Sequence, residues 1–184
     1  MKTVETSLEK AFNDAQEMGV GIATDFGADL LHPLQELAEP NPATCWQELE
    51  ADEFTEELLM LQGLLKSQAT LINPASNMGF VHIIHRIKGT TNWHYDVSED
   101  DAAATGYKKG RFRAGLNLYG NVELGFEDPS GVRHWQAVRP GDLYVLDYAH
   151  NPYHGARPSD EASTSMFASK VLLLTDVARY SGEL

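Results

Sequence analysis

The stretch "GDLYVLDYAHNPYHGARP", residues 141–158, decides how the rest of the chain is read. A Gly-Asp turn opens it, the apolar run Leu143, Tyr144, Val145, Leu146 follows, and His154 stands at the start of the next segment. A short apolar run bounded by turn residues reads as a buried strand. Working outward, the same texture recurs from Pro74 onward. "GFVHIIHRIKG" (79–89), "RFRAGLNLYG" (111–120), "NVELGFED" (121–128), "RHWQAV" (133–138) and "SMFASKVLLLTDV" (165–177) are strand-like, with "DPSG" and "RPGD" as turns between them. Strands in succession with no helices between them predict an antiparallel sandwich or small barrel.

Upstream of residue 75 the period changes. "TSLEKAFNDAQEMG" (6–19) opens on a Thr-Ser cap and closes on glycine, and "TEELLMLQGLLKSQATLI" (55–72) sets Leu58, Leu59, Leu61, Leu64 and Leu65 behind Thr55 and two glutamates. Both predict amphipathic helices, joined through the Pro-rich "EPNPATCW" (39–46). The expected organisation is therefore a helical segment over 1–75 packed on a β core over 76–184, one domain in all.

Composition narrows the functional classes. The net charge of −13 sits mainly in the N-terminal segment, where residues 1–75 hold 14 acidic and 3 basic side chains, a net of −11. The remainder, with 13 acidic and 11 basic, is at −2. Such a chain repels phosphate backbones, so nucleic acid is a poor partner, and the acidic excess reads as a solvated helical face. There is no run of eighteen apolar residues and no apolar stretch at the N-terminus, which predicts a soluble cytosolic protein rather than a membrane one. The single Cys45 cannot form an internal disulfide and reads as a packing residue.

The chemistry is carried by histidine and aspartate. In "TNWHYDVSED" (91–100), His94 and Asp96 are two apart, just after a strand-like run. Seven histidines make one such pair a chance event at roughly 40%, so the pair needs a third partner and a scaffold. Two imidazoles and one carboxylate on a barrel face, with three coordination positions open, are what a non-haem iron(II) oxygenase needs. His154 supplies the second imidazole, sixty residues after His94; His150 is its rival, nine residues after Gly141 against thirteen for His154.

His94-x-Asp96 after an early strand, and His154 after a "GDL" strand, resemble the iron(II) and 2-oxoglutarate-dependent dioxygenase superfamily over about residues 78–178. The resemblance implies a mainly β fold with N-terminal helices around a double-stranded β-helix (jelly-roll) core. It also implies Fe(II) on His94, Asp96 and His154, with 2-oxoglutarate and dioxygen consumed as a second substrate is hydroxylated. That substrate is a small molecule, an amino acid or a peptide. Asp96 fills the place that related halogenases leave to chloride, which favours hydroxylation. A cupin-like enzyme or binding jelly roll is the alternative, although such sites usually cluster histidines as His-x-His.

Members of the superfamily hold the far carboxylate of 2-oxoglutarate with a cation on the last core strand. Lys170, sixteen residues after His154 and inside an apolar run, matches that position, with Arg157 as second candidate. In "RFRAGLNLYG", alternation places Arg113, Gly115, Asn117 and Tyr119 on one face. Asn117 or Tyr119 is expected to help hold 2-oxoglutarate, with Arg113 near cosubstrate or substrate. Asn92 and Trp93 flank His94, where a side chain either packs or meets substrate. The loop over 97–110 is expected to be mobile and to close over the pocket.

Overall fold

A computed structural model describes residues 2–26, 28–37, 46–48, 52, 54–72, 74, 76–86, 91–95, 112–147, 150, 153–159 and 168–177. Asp96 and the expected lid at 97–110 lie outside the described residues, as does Cys45. The elements in chain order are α1 (Lys2–Met18), β1 (Val20–Ala23), a 3-10 turn (Ala28–Leu30), α2 (Leu31–Glu36), β2 (Trp46–Glu48) and α3 (Glu56–Ile72). The strands β3 (Ser76–Arg86), β4 (Thr91–His94), β5 (Phe112–Asn117), β6 (Val122–Glu127) and β7 (Arg133–Val138) follow. The described chain closes with β8 (Leu143–Asp147), β9 (His154–Pro158) and β10 (Ala168–Val177).

The strands form two antiparallel sheets, one in the order β1-β8-β5-β10-β3-β2 and the other β4-β9-β6-β7. This is the two-sheet jelly roll that the resemblance implies, and a form of the antiparallel sandwich that the spacing of strands and turns predicts. One expectation needs correction. Residues 1–75 are not purely helical, because Val20–Ala23 pairs with β8 and Trp46–Glu48 with β3, so the N-terminal segment contributes both outer strands of the larger sheet. An edge left open on either side would present unpaired backbone groups, and these short strands cover it.

Local chemistry explains the elements. The Thr55 hydroxyl accepts the Leu58 amide at 3.3 Å, capping α3, while Glu56 and Glu57 favour the positive end of the helix dipole. Leu58, Leu61, Leu65 and Ala69 then form one buried stripe along α3. They pack with Leu8, Phe12 and Ala15 of α1 onto the face of the larger sheet that bears Phe112, Ala114, Leu116, Leu143 and Val145. The Phe12 and Phe112 rings meet edge to face at 5.0 Å. Alternation sends the neighbouring residues the other way. Tyr144 and Leu146 leave the opposite face and join Val20, Leu124, Phe126 and Val138.

The "GD" that opens the deciding stretch is turn chemistry. Gly141 has φ 90°, which glycine adopts without penalty, and donates its N–H to the Asn117 carbonyl at 2.9 Å. The buried Asp142 carboxylate accepts the amides of Arg139 at 2.7 Å and Asp25 at 2.9 Å, tying this turn to the segment after β1. No described helix is long and apolar enough to cross a membrane.

Candidate metal centre

β4 and β9 are antiparallel neighbours, and their register makes His94 and His154 direct partners. Partners in an antiparallel pair share a face. The two rings accordingly lie 4.6 Å apart between centroids, and His154 is 7% exposed. Two residues sixty positions apart in sequence are thus neighbours in space. His154 is in turn the partner of Phe126 on β6, and Phe126 of His134 on β7. One row, His94, His154, Phe126, His134, therefore runs across all four strands of the smaller sheet, on the face where Phe126 and Leu124 meet Tyr144 of the larger sheet.

His94 Nδ1 lies 2.8 Å from the Asn92 carbonyl oxygen. A carbonyl can only accept, so Nδ1 carries the proton and the lone pair of the neutral ring is on Nε2. This is how a ligating imidazole is held in one tautomer by its other nitrogen. Among the described residues no group of three His, Cys, Asp or Glu side chains could hold a metal ion, and Asp96 is not among them.

His150 is placed elsewhere. Its Nε2 bonds to the Gln16 carbonyl at the end of α1, so of the two downstream histidines it is His154 that reaches His94. His134 bonds through Nε2 to Asp128 at 2.7 Å and stacks on Phe126 at 5.2 Å. Bonds from the Ser130 hydroxyl, from His134 and from the Val132 amide hold the Asp128 carboxyl well below the usual carboxylate range. Asp128 thereby knots the β6–β7 turn.

The residues expected to hold 2-oxoglutarate divide into two groups. Lys170 is the register partner of Asn117 on β5 and of Ile84 on β3, and Arg113 pairs with Leu174 and Leu146. These positions belong to the face of the larger sheet turned away from the helices. Arg157 does not. Its guanidinium bonds Glu123 at 2.6 Å and lies 3.8 Å over the Trp135 ring, on the opposite face of β9 from His154.

Asn117 and Tyr119 also depart from expectation. The buried Asn117 amide donates to the Gly120 carbonyl at 2.7 Å and the Val138 carbonyl at 3.3 Å, which spends both its hydrogens on joining two turns. The Tyr119 ring packs on the helix-side cluster and its hydroxyl donates to Gln35 O at 3.2 Å, because alternation lapses once β5 ends at Asn117. Both side chains therefore serve the fold. Trp93, one residue before His94, leaves β4 by the opposite face and packs on Trp135 and Tyr153.

Tyr144 was not singled out by the sequence. It lies beside Gly115 in register, its ring covers the position a Gly115 side chain would take, and it is 5% exposed. A polar tip inside an otherwise apolar strand was the available signal.

No protein-family model matches the chain, and no curated protein sequence matches it. Solved structures do. A prolyl-4-hydroxylase from Pseudomonas putida is 18% identical, with TM-score 0.69 over 92% of this chain and 98% of that one. A 2OG-Fe(II) oxygenase-family oxidoreductase from Burkholderia pseudomallei is 13% identical, with TM-score 0.68 over 97% and 91%. The non-heme alpha-ketoglutarate-dependent epimerase SnoN from nogalamycin biosynthesis is 12% identical, with TM-score 0.64 over 94% and 84%. The chain therefore has the double-stranded β-helix fold of the iron(II) and 2-oxoglutarate-dependent oxygenases.

Proposed function

We propose that the chain is a non-haem iron(II), 2-oxoglutarate-dependent dioxygenase that hydroxylates a small molecule, an amino acid or a peptide. The observation that carries this reading is the cross-strand pairing of His94 with His154, on the face of the smaller sheet that meets the larger one. Asp96, two residues beyond His94, is the proposed carboxylate ligand. Two imidazoles and one carboxylate suit iron(II) and leave positions for a chelating cosubstrate and dioxygen. When bound, iron(II) with 2-oxoglutarate supplies dioxygen activation coupled to decarboxylation of the cosubstrate to succinate and carbon dioxide.

The chain's own residues orient and exclude. The Asn92 carbonyl fixes the His94 tautomer that offers Nε2. Leu124, Phe126, Tyr144 and Leu146 give the space between the sheets an apolar lining that keeps water from the site. In such surroundings the far carboxylate of 2-oxoglutarate would be costly unpaired, and Lys170 is the proposed partner. What favours Lys170 over Arg157 is the face of the sheet each register position belongs to, together with the Glu123 and Trp135 contacts that occupy Arg157. Arg113 stands on the same face as Lys170 and is proposed to meet cosubstrate or substrate. An amino-acid or peptide substrate is in keeping with the prolyl-4-hydroxylase among the similar structures.

The test is succinate formation. The purified chain, loaded anaerobically with Fe(II) and mixed with 2-oxoglutarate, ascorbate and oxygen, is expected to release succinate by uncoupled turnover, detected by NMR. Iron bound without any succinate would favour the cupin-like binding jelly roll instead.

A further inference from the structure

The outer face of the smaller sheet carries a construction that the oxygenase reading leaves unused. Trp93 stands on one edge strand, β4, and Trp135 on the other, β7, with β9 and β6 between them. Edge strands of a four-stranded sheet are about 14 Å apart. The two indoles nevertheless meet edge to face, 5.3 Å between centroids at 80°. Glycine makes this possible. Gly125 of β6 and Gly155 of β9 are register partners, and Trp135 is the partner of Gly125 on its other side. A Cβ on Gly125 would lie 2.9 Å from both Trp135 Cζ3 and Trp93 Cζ2.

The stack continues to the segments that bear the histidines. Trp93 packs on Tyr153 at 5.5 Å, and Tyr95 on Tyr153 at 4.8 Å. The Arg133 guanidinium lies 4.7 Å over Trp93 and 5.6 Å over Tyr153, and its Nε bonds Glu127 at 3.2 Å. Trp93 and Tyr95 bracket His94, and Tyr153 precedes His154. Successive strand side chains leave by opposite faces, so holding Trp93 outside fixes the backbone from which His94 leaves inside, and Tyr153, just before β9, packs against the same Trp93 ring. Among the described residues β4 is an edge strand, and its pairing with β9 shifts register between Thr91 and His94.

We propose that Trp135, seated over Gly125, is a positioning residue that holds β4 against β9 and so sets the separation of His94 from His154. The inference rests on the reading of those histidines as iron ligands. It assigns a role in metal affinity to a residue on the far side of the sheet from the metal.

The test is an anaerobic titration of Fe(II) into the full chain against a chromophoric chelator, beside thermal melting. Trp135→Ala is expected to bind Fe(II) about tenfold more weakly, the range seen when groups supporting a ligand are lost. Trp135→Phe should recover most of that loss, since a smaller ring still packs over the glycine. Leu61→Ala, in the helix-side core, should melt at lower temperature and keep wild-type Fe(II) affinity. If Trp135→Ala does not fold, Gly125→Ala takes its place, because its methyl group drives the two indoles apart. Wild-type affinity in the Trp135 or Gly125 variant, with binding lost in His154→Ala, overturns the brace and leaves the ligands standing. An equal loss of affinity in Leu61→Ala also overturns it, as a global effect. Unchanged affinity in His154→Ala as well overturns both readings.

Discussion

On the helix side of the larger sheet, Phe112, Ala114, Leu116, Leu143 and Val145 are all at most 1% exposed and belong to one apolar cluster with α1 and α3. On its other side the same strands, β5 and β8, present Arg113, Gly115, Asn117 and Tyr144, and β10 brings the register position of Lys170. One face is built only to be buried. The other sets a guanidinium and a phenol among apolar neighbours, which a stability argument alone would not select, since polar groups cost free energy to bury. On the proposed reading, the difference teaches that strand alternation lets a single sheet separate the work of folding from the work of chemistry, one residue apart.

The sharpest way to break this division is at the proposed metal centre. His154→Ala is expected to abolish iron-dependent succinate release while leaving the melting temperature close to that of the unsubstituted chain. A large loss of stability without loss of turnover would mean the histidine belongs to the fold. The converse variant is Leu61→Ala on the helix side. It should cost about 2–5 kcal/mol of stability by denaturant unfolding, the range for a large-to-small core change. Folded Leu61→Ala should turn over 2-oxoglutarate at the unsubstituted rate.

Lys170→Ala tests the proposed cosubstrate anchor. Removing the ammonium leaves a carboxylate unpaired among apolar groups, so 2-oxoglutarate binding should weaken by about 2–4 kcal/mol with Fe(II) affinity kept. Titration of 2-oxoglutarate into iron-loaded Lys170→Ala and Arg157→Ala separates the candidates, and a loss confined to Arg157→Ala would transfer the anchor. The smallest effect is expected at the β6–β7 turn. Asp128 has its carboxyl pKa depressed by Ser130, His134 and Val132, so its contribution is present above the ordinary aspartate value of 3.8 and is lost as pH falls below it. Melting curves of Asp128→Asn should therefore lie slightly below those of the unsubstituted chain near neutral pH. The gap should close only below about pH 3.8.

Much of the fold was legible because its signals are local. Turn residues and period-two runs mark β5 to β8, and the capped leucine stripe marks α3. β1 and β2 were not, since "VGIA" follows the glycine that ends α1 and "WQE" follows a Pro-rich loop, and each becomes a strand only by pairing with a distant partner. The histidine pair was legible for a different reason: His94 two before Asp96 after an early strand, and His154 after a "GDL" strand, resemble the oxygenase superfamily, and that resemblance implies that the two imidazoles meet, as the register of β4 and β9 has them do. The hydrogen bonds of Asn117, Tyr119 and Arg157 were not legible, because each joins residues far apart in sequence or, for Tyr119, lies beyond the strand end where alternation lapses. The Trp93–Trp135 contact was beyond local reading. It requires the order of four strands and the coincidence of two glycines in adjacent ones.

The position of β10 has a consequence for how the molecule comes into being. It is wedged between β5 and β3, in the middle of the larger sheet, yet every other described strand precedes it in the chain. During synthesis β3 and β5 therefore leave the ribosome with a gap between them, and the sheet cannot be completed until residues 168–177 have emerged to fill it. Until then both strands hold unpaired edges, the condition under which nascent β proteins recruit chaperones or aggregate. The strand that brings the proposed cosubstrate anchor is also the one that finishes the sheet, so a nascent chain gains the anchor only as its sheet is sealed.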